Sequence, residues 1–192
     1  MLPLHPVVVH FPIVLAVLLP ISAAWALWAI RKGTTFRRVW AVPAAMAVAL
    51  ALSAFVAVET GESADERVER VVPEQPLESH EEAAETFLTL SAGLALLVAA
   101  GLVRGRAGFV ARGLGTAGAV ALVAVAAYVG HSGGKLVYEH GAASAYTTTD
   151  ARASAGAESG AGARASAGAE SGAGARVSAD VPRRDADEDE DR

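Results

Sequence analysis

Four stretches of the chain, 3–30, 39–58, 86–103 and 113–130, contain no Asp, Glu, Lys or Arg. Apolar residues run through each of them without the alternation of a half-buried strand. Each is close to the roughly 20 residues needed to cross a hydrocarbon core. Backbone polar groups in lipid must be satisfied within a helix or around a closed barrel, and unbroken apolar runs select the helix. The pattern predicts transmembrane helices over residues 6–30, 38–58, 81–103 and 108–131. Short connections make successive helices antiparallel, so the expected fold is all-α, a four-helix transmembrane bundle over residues 1–141. Pro6 falls in the first turn of span one, where its missing N–H costs little. Pro12 and Pro20 lie inside that span, and bends are expected at both. Gly93, Gly101, Gly115 and Gly118 read as packing surface, since small residues let helices approach closely in lipid.

The first stretch is not read as a cleavable signal. Nothing basic precedes it, it is longer than the usual 7–15-residue apolar core, and its basic cluster follows. The loops set the expected sidedness. Arg31, Lys32, Arg37 and Arg38 lie between spans one and two, and Arg104, Arg106 and Arg112 between spans three and four, with no acid in either group. Between spans two and three, ten acids from Glu59 to Glu85 face only Arg67 and Arg70. Lys and Arg remain on the cytoplasmic side. Both termini and the acidic loop are therefore expected outside a cell membrane.

Residues 142–192 change character. Residues 151–162 recur unchanged as 163–174, a tandem duplication of Ala, Gly and Ser, and the chain ends in an acidic run. Such composition cannot offset an ordering entropy of about 1–2 kcal/mol per residue, so a disordered tail is expected. Over the whole chain 53% of residues are hydrophobic and 19% charged, and the four charge-free stretches of membrane-spanning length exclude a soluble globular enzyme. A net charge of −5 argues against nucleic acid as a partner. The absence of cysteine excludes disulfides and thiolate metal sites within this chain. No nucleophile–base constellation, phosphate loop or repeat among the spans is visible, so an independent catalyst is not expected.

The candidate chemistry lies in the five histidines, His5, His10, His80, His131 and His140, all expected at the outer face. His5 and His140, at the edges, read as solvated tips. His10 and His131 continue apolar helices, where ionisable groups are functional hypotheses by default. His10 and His80 are expected near helix N-termini, which disfavour imidazolium, and His131 near a C-terminus, which favours it. Ser79 and Glu82 read as a capping box opening span three. Glu59 and Glu62, flanking Thr60-Gly61, are placed to orient imidazoles through hydrogen bonds.

Several of these residues resemble a bacterial membrane family, domain of unknown function 2231. The resemblance rests on His5-Pro6-Val7-Val8-Val9-His10-Phe11-Pro12-Ile13, on Glu59-Thr60-Gly61-Glu62, on His80-Glu81, and on the closing segment Gly133 to Gly141. It covers about residues 4–141 and implies the four-helix membrane architecture without a reaction. Relatives joined to Rieske-type or cytochrome c-type modules imply a redox setting. This chain has no cysteine, so any such partner would be a separate protein.

Three functions are weighed. The first is haem b held by His10 and His131, with His80 in reserve, passing electrons at the outer face. Phe11, Trp25 and Tyr128 would wall the pocket, and Lys135 would pair with a propionate. The second is a divalent or copper ion held among His5, His10, His80, His131, His140, Glu59 and Glu62. The third is a non-catalytic membrane interaction module whose only certain partner is the bilayer.

Overall fold

A computed structural model describes residues 4–145, without the side chains of 64–66. The described chain forms helices α1 (Leu4–Val8), α2 (His10–Arg31), α3 (Phe36–Val68), α4 (Glu74–Ala100) and α5 (Arg106–Tyr138). The first two form one span, giving four helices long and apolar enough to cross a membrane. The expected tail from 146 onward lies outside the described residues. Ala142 and Ala145, placed with the tail on composition, are buried in a small cluster with Val68, Val72, Leu77 and Leu136. Gly141, at φ +71°, turns the chain back to bring them there.

The helices outrun the charge-free stretches. α3 and α5 each hold 33 residues, about 50 Å at 1.5 Å per residue, against a hydrocarbon core of about 30 Å. A charge marks the edge of the bilayer, but a helix satisfies its own backbone and continues into water. The expected termini move accordingly. α4 begins at Glu74 after Pro73, with no side-chain cap, so Ser79 and Glu82 are interior and form no capping box. His80 and His131 both lie more than a turn from a helix end. The macrodipole acts within the first or last turn, so it sets neither of their charges. Arg112 is likewise no loop residue, but a buried one inside α5.

Of the two expected bends, one has a counterpart. Pro12 has no N–H for the Val8 carbonyl, and the helix is interrupted at Val9 between α1 and α2. At Pro20 α2 runs on unbroken to Arg31. It ends there in a Schellman turn, with Gly33 at φ +94° and the Thr34 N–H donating to the Ala29 carbonyl at 3.1 Å.

The backbone of α2 runs close to α3 and α5, and that of α4 to the same two, while α2 and α4 do not approach closely along the backbone and neither do α3 and α5. The bundle is therefore a square, with α2 diagonal to α4. Its burial repeats at an offset of 75 residues: Ala16, Leu19 and Ala23 on the first hairpin match Ser91, Leu94 and Val98 on the second, all buried. The repeat is one of position in the bundle, and sequence identity does not reveal it.

The basic end is closed. Trp40, fully buried, donates its indole N–H to the Val98 carbonyl at 2.8 Å. Arg112 donates to the Gly101 carbonyl and lies over the Phe36 ring, 4.8 Å from its centroid. Arg37 reaches the Leu102 carbonyl at 3.4 Å. Arg112 and Arg37 thus supply donors to carbonyls just past the end of α4, whereas the Val98 carbonyl accepts from Trp40 in addition to the Gly101 N–H at 3.0 Å. Glycine permits the fit: a Cβ on Gly101 would overlap the Trp40 indole and the Arg112 side chain. Gly115 and Gly118 admit Val98 and Leu94, but Gly93, expected to do the same, has nothing within 4 Å of a Cβ position.

Gly101→Ala should therefore destabilise the bundle by about 1–3 kcal/mol through overpacking. Gly93→Ala should leave stability unchanged or raise it by about 0.5–1 kcal/mol, because only the helix entropy changes. Thermal unfolding of both variants in one detergent checks the pair.

Candidate functional site

The opposite end is open. Two cavities of about 450 and 440 Å³ lie there, and His5 and His80 line both. The two rings thus stand on the partition between the cavities. They come from diagonal corners of the square, His5 on the α1–α2 span and His80 on α4. They are near enough for charges on the two rings to interact.

Each ring is oriented from the side by a neighbouring helix. His5 Nδ1 lies 2.9 Å from the Ala57 carbonyl of α3. A carbonyl only accepts, so Nδ1 carries the proton and donates. His80 Nδ1 lies 2.8 Å from Ser132 Oγ of α5, whose own hydroxyl donates to the Val129 carbonyl at 2.9 Å. The hydroxyl proton being engaged there, Ser132 accepts from His80 Nδ1–H. In the neutral form both imidazoles then hold their lone pair on Nε2, the tautomer suited to a metal ligand.

Glycine lies under each ring. A Cβ on Gly61 would stand 3.2 Å from His5 Cε1, and one on Gly133 would stand 3.0 Å from His80 Cε1. Either would press on the imidazole. Gly130 and Gly134 also line the first cavity, yet nothing lies within 4 Å of a Cβ on either. Helix packing does not require these two glycines, although each weakens a helix by about 0.5–1 kcal/mol relative to alanine. What their missing side chains leave is open space beside the histidines.

The 75-residue offset pairs positions at this end without exchanging the cavities, since Pro12 and its match Phe87, like Ala54 and its match Val129, line the same first cavity. His5 maps to His80, Ala57 to Ser132, His10 to Glu85, Pro6 to Glu81 and Glu62 to Val137. The first cavity is walled by Val9, Ile13, Phe87, Val129 and similar side chains, with His10 and Tyr138 exposed at its mouth. The second carries Glu62, Glu81 and Glu85. No Lys or Arg lines either cavity.

The residues expected at a site are distributed as follows. His10 lines the first cavity from an exposed position; His131 is exposed and lines neither. Position 131 lies about 100° around α5 from Gly130, which is enough to turn it off the cavity wall. His10 and His131 therefore share no cavity, whereas His80 and His5 share two. His140, Glu59, Lys135 and Tyr128 line neither cavity. Phe11, Trp25 and Tyr128, expected as pocket walls, are exposed on the bundle's outer surface. Glu62 lines the second cavity only. Among the described residues no three His, Asp or Glu side chains gather closely enough to hold a metal ion. Sequence reasoning passed over Ser132 and the cavity role of Gly130 and Gly134. The structure shows the same spacing of 52 residues from His5 to Ala57 and from His80 to Ser132, but the Ala57 partner is a backbone carbonyl, so residue type does not mark it.

No curated protein and no solved structure matches the chain. The family described as "Predicted membrane protein (DUF2231)" matches residues 1–145, which takes in all four spans and both cavities. The chain belongs to that family, and it is an integral membrane protein.

Proposed function

We propose that this protein holds haem b between His5 and His80 and exchanges electrons at the face where the two cavities open. The observation that carries the reading is the diagonal pair of imidazoles on the boundary between two cavities. A planar group set across the line between two axial nitrogens extends to both sides of that line, and space lies on both sides. The donor count points the same way. A bare divalent ion takes three or four protein ligands, but a porphyrin brings four nitrogens and asks the protein for two. The largely apolar walls suit a macrocycle. Bound haem would supply one-electron chemistry. The chain would supply orientation through the Ala57 carbonyl and Ser132, and exclusion of water through Phe87 and its neighbours. A separate redox protein, Rieske or c-type cytochrome, is the class of partner that this reading implies.

The sidedness belongs to the same proposal. The basic end, with Arg31, Lys32, Arg37, Arg38, Arg104 and Arg106, faces the cytoplasm, and the histidine end and both termini face outward.

Purified protein should give a Soret band and sharp bands on dithionite reduction. Both should be lost in His5→Ala and in His80→Ala and kept in His131→Ala. A colourless wild type after haem titration, or loss confined to His131→Ala, would overturn the assignment. Gly134→Leu places a side chain in open space, so it should weaken haem uptake by about ten-fold or more without lowering the thermal stability of the empty protein. Since the chain has no cysteine, sidedness can be read from single replacements. Glu69→Cys should react with a membrane-impermeant maleimide in intact spheroplasts, and Thr34→Cys only after permeabilisation. The reverse pattern would invert the topology.

A further inference from the structure

The two cavities that meet at His5 and His80 are unequal in charge. His10 lines only the first cavity, Glu62, Glu81 and Glu85 line only the second, and Pro6 and Val137 line both. The carboxylates thus fall on one side of the imidazole pair, and the one further histidine falls on the other. A ligand lying across the pair meets the same imidazole from either face. Its rotation in the slot is consequently left to its edges.

We infer that the first cavity takes the anionic edge of the bound macrocycle, with His10 as the partner of a propionate, while the second cavity takes the uncharged edge. The inference rests on the haem reading above. Two carboxylates of a porphyrin turned toward Glu62, Glu81 and Glu85 would set like charges together, which is unfavourable. Turned the other way, they meet no acidic side chain among the residues lining the first cavity and reach its mouth beside His10 and Tyr138. Both mouth residues are exposed, so the carboxylates also keep access to water. His10 is then a positioning residue and not an axial ligand. Lys135, expected from the sequence to meet a propionate, is exposed and lies outside the lining of both cavities.

The test compares two probes, iron protoporphyrin IX and its dimethyl ester, titrated into the ligand-free protein in detergent. The wild type should bind the diacid about ten-fold more tightly than the diester, the scale of one charge-assisted hydrogen bond. His10→Ala should bring that ratio near one and keep the low-spin spectrum of two axial imidazoles. His10→Gln, which retains a donor, should keep part of the preference, and Lys135→Ala all of it. An unchanged ratio in His10→Ala, or a ratio lost in Lys135→Ala, would overturn the orientation and leave the axial pair standing. Loss of the low-spin spectrum in His10→Ala would make His10 an axial ligand, against the assignment. A wild type that takes up neither porphyrin would remove the haem reading and the orientation together.

Discussion

A buried polar atom in this bundle has no solvent to turn to. Hydrocarbon offers no hydrogen bond, so each such atom must find its partner on another helix or on its own backbone. Trp40 and Arg112 at one end, and His5 and His80 at the other, all resolve that demand in one way: a side-chain N–H crosses to a neighbouring helix and donates to an oxygen there. These bonds fix the rotation of one helix against the next, which apolar packing alone specifies loosely. Ser91, buried at 1% exposure, is the one such side chain left without a partner among the described residues.

The same device has opposite results at the two ends. Beside Trp40 and Arg112, Gly101 lies against both side chains and leaves no room for a Cβ. Around His5 and His80 one glycine supports each ring, and two more face empty space. Tight packing at one end holds the four helices together, so the other end can stay unfilled without the bundle collapsing onto it. Interiors at full density leave few voids larger than a water molecule. The two open cavities of about 450 and 440 Å³ at the other end are not filled in this way.

Much of this architecture could be read before any coordinates. Lipid is a demanding solvent, and the absence of charge over 3–30, 39–58, 86–103 and 113–130 leaves little choice about where the chain crosses. Helix ends were less legible. Glu59 and Ser79 mark where the chain leaves the bilayer, but α3 continues past the first to Val68 and α4 starts before the second at Glu74. Azimuth was the harder quantity. Sequence gives the depth of His10 and His131 and so places both at the same end of the bundle. Around a helix, however, one residue is worth about 100°, and uncertainty in helix phase is enough to exchange a cavity wall for the bilayer. His5 looked like a solvated tip for the same reason. Its neighbour across the turn, the Ala57 carbonyl, belongs to the backbone and leaves no trace in residue type.

The 75-residue offset has an implication for history. Both hairpins start on the same side of the membrane and carry one imidazole at the same depth, so each is half of a closed pair. Two identical hairpins related by a two-fold axis along the membrane normal would already build both imidazole walls. Such a symmetric pair could not tell left from right in its own slot. In this single polypeptide position 10 is His and position 85 is Glu, so its two halves are not alike beside the imidazole pair.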